Sequence, residues 1–198
     1  MLYKITKMLF WPWFIFFLRL SIKGRENVPR NKGFILVSNH VSYLDPIALA
    51  LACPGNLNFM AKEELFRPHF FGWIMRLNNC FPLRRKGADL AAIREAIKRV
   101  NLGGGLLIFP EGTRSADGKL GVGLEGVGFL VDKLNVPVIP AFVKGTFEAM
   151  PKGAWLVRPL KISIQFGKQI PLERRVAYSD VADKVMQAIK QLSCCESN

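Results

Sequence analysis

The strongest constraint on the fold comes from two short apolar runs, Phe34-Ile35-Leu36-Val37 and Leu106-Leu107-Ile108-Phe109. Neither alternates with polar residues. A run that is both short and continuous fits a strand covered on both faces, as in a parallel sheet between layers of helices. Leu57 to Ala61, Cys80 to Leu83 and Val136 to Val143 are further strand candidates, and Lys161 to Phe166 alternates as an edge strand does. Helical patterns lie between them. His69 to Leu77 is aromatic-rich, and Gly87 to Asn101 puts Leu90, Ile93, Ile97 and Val100 on one face. Gly103-Gly104-Gly105 stops that helix. Glu125 to Leu134 follows, and Ser179 to Leu192 closes the chain, with Ser179 as an N-cap. Strands alternating with helices predict an α/β fold: a largely parallel central sheet flanked by helices. Ligands of such sheets gather beyond the carboxyl ends of the strands. Two chemistry-bearing segments fall there, NHVSYLD at 39–45 and PEGTRS at 110–115.

The chain has 198 residues, half of them hydrophobic, which suits one domain with a sizeable core. Its formal net charge is +13. Residues 1–32 carry seven Lys/Arg against one Glu, and residues 144–175 carry seven against two acids. An excess of that size points to an anionic partner or to a solvated basic surface. No zinc-finger, basic-zipper or RNA-recognition pattern accompanies it, so nucleic acid is not expected. The four cysteines, Cys53, Cys80, Cys194 and Cys195, form no C-x-x-C pair and no Cys/His cluster, so neither a metal site nor a disulfide framework is expected.

Eleven apolar residues in a row, MLFWPWFIFFL, fill positions 8–18. As a helix they would measure ~17 Å, against ~30 Å of bilayer hydrocarbon. Lys4 and Lys7 precede them, Arg19 and Lys23 follow, and no small-x-small cleavage site comes after. Residues 1–24 are therefore expected to be an N-terminal membrane-associating helical segment, with Trp11 and Trp13 at the headgroup level, and residues 25–198 the α/β domain. A helix buried in the core is the other outcome.

His40 and Asp45 lie five apart, and on a continuous helix they would point about 140° away from each other. A strand-to-helix turn brings them together. Asp45-Pro46 then reads as N-cap and N1 of a helix over Ile47 to Leu51. Asp45 either serves only as that cap or also holds one imidazole nitrogen and leaves the other as a base. Ser38 and Ser42 flank His40 without a G-x-S-x-G elbow, and Cys80 has no base beside it. A base without an enzyme nucleophile suits a substrate that brings its own hydroxyl. In PEGTRS, Gly112 permits a tight turn, Thr113 adds a hydroxyl, and Arg114 offers a planar fork suited to phosphate. An ordinary polar turn with a Glu111–Arg114 surface pair is the alternative. Arg84-Arg85 ends a strand candidate and can converge on the same edge.

Together these stretches resemble the PlsC-like glycerolipid acyltransferases. NHVSYLDP is similar to that family's N-H-x-x-x-x-D block, FPLRR to its apolar-strand–arginine block with Arg85 in register, FPEGTRS to its third block and VPVIPAFVKG to its fourth. The four occur in order over about residues 25–145. The resemblance implies that His40, held by Asp45, deprotonates the hydroxyl of a lysophospholipid. That acceptor is expected to be 1-acylglycerol-3-phosphate, giving phosphatidic acid. The hydroxyl then attacks the thioester of acyl-CoA or acyl carrier protein. Arg85, Glu111, Gly112, Thr113 and Arg114 would shape the acceptor site and bind its phosphate. No cofactor or metal is implied, and membrane lipids at the cytoplasmic face of a membrane are the expected surroundings. One departure bears on the acceptor: where many relatives carry lysines, residues 120–126 read LGVGLEG. Glycerol-3-phosphate, another lysophospholipid or a lyso-aminolipid is therefore an alternative acceptor. A non-catalytic membrane-binding module is an alternative of a different kind.

Overall fold

A computed structural model of the chain describes residues 2–84, 89–173 and 176–194. Seven strands form one sheet in the order β1-β7-β6-β2-β5-β3-β4. They are β1 (Ser21–Lys23), β2 (Phe34–Ser38), β3 (Leu57–Lys62), β4 (Cys80–Leu83), β5 (Gly105–Ile108), β6 (Val138–Lys144) and β7 (Ser163–Phe166). The helices are α1 (Leu2–Phe16), α2 (Leu44–Ala52), α3 (His69–Leu77), α4 (Leu90–Asn101), α5 (Gly126–Leu134), α6 (Thr146–Ala149) and α7 (Tyr178–Cys194). The pairs β6–β2, β2–β5, β5–β3 and β3–β4 are all parallel. Only β6–β7 is antiparallel, so β7 and its parallel partner β1 run against the other five.

The continuous apolar runs are explained by a sheet with helices on both faces. Ile35 and Val37 of β2, with Leu106 and Ile108 of β5, pack among Ala96, Val100, Val127 and Val185 of α4, α5 and α7. Phe34, Leu36 and Leu107 point the other way, into a cluster with Ala48, Leu49 and Ala52 of α2 and Phe14 of α1. Period-two geometry sends neighbours to opposite faces, and both faces are dry.

The structure departs from the sequence expectations at three local points. Helix α2 starts at Leu44, so Asp45 sits inside its first turn rather than at the cap, and Tyr43 takes the cap position without a side-chain bond. Strand β1 was not legible, because three residues cannot display a period. Its presence means that β7 has partners on both sides and is not an edge strand. Helix α7 begins at Tyr178, one residue before the expected cap Ser179.

The apolar N-terminal stretch is helical over Leu2–Phe16, and one stripe of it is built into the fold. Phe14 and Leu18 are buried in the core cluster. The Tyr3 hydroxyl accepts from the Leu57 N–H at 3.3 Å, and Lys7 Nζ donates to the Cys53 carbonyl that ends α2 at 2.9 Å. Burial lowers the Lys7 pKa below its ordinary value. Met8, Leu9 and Phe16 on the remaining surface are exposed. No described helix is long and apolar enough to cross a membrane.

Candidate active site

β2 and β5 are parallel neighbours paired through Val37 and Ile108, so the loops that follow them leave the same edge of the sheet side by side. The main chain of His40 is held between them. Its N–H donates to Glu111 Oε1 at 3.0 Å, and its carbonyl accepts from the Ser115 N–H at 2.8 Å. One residue earlier, Asn39 acts as a clamp on β6. Its Nδ2 donates to the Val143 carbonyl at 2.9 Å and its Oδ1 accepts from the Val143 N–H at 2.8 Å, extending the strand pairing with a side chain. The backbone around the imidazole is thus tied to the loop after β5 and, through the Asn39 side chain, to strand β6.

His40 Nδ1 lies 2.9 Å from Asp45 Oδ2. That same oxygen accepts the N–H groups of Val41 and Ser42, each at 2.7 Å. Asp45 is fully buried. A carboxylate holding two main-chain donors is an acceptor, so Nδ1 carries the ring proton and Nε2 is left with its lone pair. The imidazole is stacked on Phe109, with centroids 3.9 Å apart and planes 12° from parallel. Its side chain remains 17% exposed, enough to meet a substrate. Ser42 Oγ donates to the Met150 carbonyl at 2.7 Å, so neither it nor the turn around it is placed as a nucleophile.

The second loop reverses at Gly112, whose φ of +66° is the left-handed region that glycine occupies without penalty. A Cβ there would also lie 2.5 Å from Leu124 Cδ1. Glu111 is buried, and its other oxygen, Oε2, accepts the Gly121 N–H at 2.9 Å. One carboxylate therefore links the His40 backbone to the lysine-free stretch. Thr113 is exposed. The Arg114 guanidinium lies 3.5 Å from the centre of the Tyr43 ring, a cation–π placement. Arg114 Nη1 is buried with no hydrogen-bond partner among the described residues. A buried guanidinium nitrogen without an acceptor suits an anionic ligand.

Five of the sequence-derived residues, His40, Asp45, Glu111, Gly112 and Arg114, thus lie in or directly join these two loops, with Thr113 between the last two. Arg85 lies outside the described residues. The roles of Asn39, Tyr43 and Phe109 were not assigned from sequence. All three lie within the recognised blocks NHVSYLDP and FPEGTRS, which is the signal that points to them. The thiols of Cys53 and Cys80 are both pushed up to about 11 by burial, so neither is a ready nucleophile. Among the described residues there is no cluster of three or more metal-ligating side chains.

Comparison with known proteins gives the family. The Acyltransferase family model matches residues 19–144. A chloroplastic 1-acyl-sn-glycerol-3-phosphate acyltransferase of Brassica napus is 34% identical over 70% of this chain, which spans only 41% of the plant protein's length. The 1-acyl-sn-glycerol-3-phosphate acyltransferase of Bacillus subtilis is 27% identical over 87% of both chains. The crystal structure of the 1-acyl-sn-glycerophosphate acyltransferase PlsC from Thermotoga maritima superposes with a TM-score of 0.80 at 29% identity, covering 99% of this chain and 80% of that one. The chain belongs to the acyltransferase family, in its PlsC-like branch.

Proposed function

We propose that the protein transfers a fatty acyl group from an acyl thioester to the free hydroxyl of a lysophospholipid, in the first reading 1-acylglycerol-3-phosphate, giving phosphatidic acid. The observation that carries this reading is the oriented imidazole. His40 has its Nδ1 proton committed to a buried Asp45 and its other nitrogen available on a partly exposed ring. Nε2 takes the hydroxyl proton as the oxygen attacks the thioester carbonyl. The tetrahedral intermediate then expels the thiol, which leaves with the proton from His40. Asp45 stabilises the imidazolium that forms in between.

The acyl donor is acyl-CoA or an acyl carrier protein; it is a substrate, and no cofactor or metal takes part in this scheme. Arg114, with its unpartnered nitrogen, receives the acceptor phosphate together with Thr113 and, from outside the described residues, Arg85. Glu111 and Gly112 shape the acceptor site by holding the backbone around it. The protein works at the cytoplasmic face of a membrane, where residues 1–24 place the exposed apolar surface of α1 in the lipid and residues 25–198 carry the chemistry.

A second acceptor class is supported by the stretch 120–126. It offers no cation, and its Val122 and Leu124 side chains are exposed. Another lysophospholipid, glycerol-3-phosphate or a lyso-aminolipid would then be the better acceptor. Thiol release from a long-chain acyl-CoA, measured in detergent with a panel of these acceptors, distinguishes the readings. Acceptor-dependent release that vanishes in His40→Ala supports the mechanism; activity that survives the substitution sinks it. Turnover with another acceptor and none with 1-acylglycerol-3-phosphate selects the second class.

A further inference from the structure

The connection from α6 to β7, residues 150–162, presents an unusual surface. Trp155 is 95% exposed and the adjacent Leu156 83% exposed. A single exposed hydrophobic residue is ordinary, but a Trp-Leu pair held almost wholly in water is not. The loop is pinned rather than loose. At its start the Met150 carbonyl accepts from Ser42 Oγ, and the Arg158 N–H donates to the Ala149 carbonyl at 2.8 Å. At its end the Ile162 N–H donates to the Leu18 carbonyl at 3.0 Å. Met150 and Val157 pack against the core while Trp155 and Leu156 face outward.

Two further features give this surface a direction. Between Glu148 and Gln165 the chain carries Lys152, Arg158 and Lys161 and no acidic residue. Those three cations are all exposed. The loop also continues the exposed end of α1: Arg19, just past that helix, donates from Nη2 to the Pro159 carbonyl at 3.3 Å, and Phe16 nearby in sequence is exposed. An amphipathic indole beside an aliphatic tip, on a loop that carries three exposed cations, matches the boundary of an anionic bilayer, where the ring sits at the headgroup level and the cations meet phosphates.

We propose that Trp155 and Leu156 form a second membrane contact, inserted into the headgroup region of an anionic lipid surface. It rests on the reading that the protein works at a membrane. Because the loop begins at the residue that Ser42 holds, the contact sets the mouth of the His40 site against the bilayer from which a lipid acceptor is drawn.

The test uses the full chain with Trp11, Trp13 and Trp73 replaced by Phe, leaving Trp155 as the sole indole. The probe is vesicles of equal parts phosphatidylglycerol and phosphatidylcholine carrying brominated acyl chains. Trp155 emission is expected to shift to shorter wavelength and be quenched on these vesicles. In the otherwise native chain, W155A/L156A is expected to weaken partitioning by roughly tenfold or more, with its melting midpoint unchanged. Unquenched, unshifted emission from protein that has bound the vesicles overturns the proposal and leaves the membrane contact to α1. Failure to bind vesicles at all overturns it together with the membrane reading, while acyl transfer to a detergent-dispersed acceptor still reports on the catalytic reading. If the double variant partitions normally and loses only turnover with an acyl carrier protein donor, the loop belongs to that donor and the proposal fails.

Discussion

The turn after β2 and the connection between α6 and β7 touch through the Ser42–Met150 hydrogen bond, and they are built by opposite rules. In the first, residues 39–45, Asn39, the His40 main chain and Asp45 Oδ2 are committed to partners on β6, on the loop after β5 or within the turn itself, while Asp45 Oδ1 is buried with no partner among the described residues. In the second, the bonds to the rest of the molecule are made near the loop's two ends, two short main-chain bonds lie within it, and its tip shows apolar side chains to water. On the two proposals made above, the difference separates positioning from contact. A proton-transfer group must hold its geometry to a fraction of an ångström, which requires redundant hydrogen bonds. A surface that meets a fluid bilayer needs the right side chains and little exact geometry.

Substitutions that break the first region are expected to have the larger effects. Asp45→Asn leaves two main-chain donors facing a neutral amide and frees the imidazole to take the wrong tautomer. Turnover is expected to fall by roughly 10²–10⁴-fold, with a loss of stability of about 1–3 kcal/mol. Steady-state kinetics and chemical unfolding measure the two separately. A variant with undiminished turnover would show that Asp45 serves only the backbone.

Glu111→Gln tests the same bracket from the other loop. The amide can keep one acceptor, so one of the bonds to His40 N–H and Gly121 N–H must be lost. A fall in kcat of about tenfold is expected, with roughly 1–2 kcal/mol lost in stability. A change confined to the KM of the acceptor would instead make Glu111 a direct substrate contact.

Gly112→Ala forces a side chain into the left-handed region and against Leu124. The cost is expected at about 1–2 kcal/mol, read as a lower denaturation midpoint. A neutral result would mean that the turn relaxes freely, and the second loop would then be less rigid than the first.

The smallest effect concerns reactivity. With both thiols held near 11, only roughly a thousandth of Cys53 or Cys80 is thiolate at pH 8. Alkylation of these two in the folded protein is expected to be very slow there and to rise about tenfold per pH unit up to pH 10. Mass spectrometry of iodoacetamide-treated protein checks it. Rapid labelling at pH 8 would mean that the core around β4 and the end of α2 opens easily.

Much of the fold was legible because the sheet is covered on both faces: runs such as Phe34–Val37 have no other stable use. The hydrogen-bonded pair His40–Asp45 was legible because the two residues are local in sequence and follow a strand. What was not legible is non-local. Phe109 stacking on His40, the Asn39 clamp on Val143 and the link from Glu111 to the His40 backbone each join residues far apart in the chain. The short strand β1 carries too few residues to show a period, and only its pairing with β7 defines it.

By itself, then, the sequence determined the alternation of strands and helices, the edge of the sheet at which the candidate site lies, and the residue types available there. Hydrophobic period and turn chemistry are local properties, and they are written residue by residue. The tertiary structure decided which side of α1 is core and which is bare, that β7 is interior, and that Phe109, from the end of another strand, stacks on the imidazole that Asp45 holds. Those outcomes depend on strand order and helix packing, which bring together groups separated by 140 positions in the chain, and no local pattern encodes such distances.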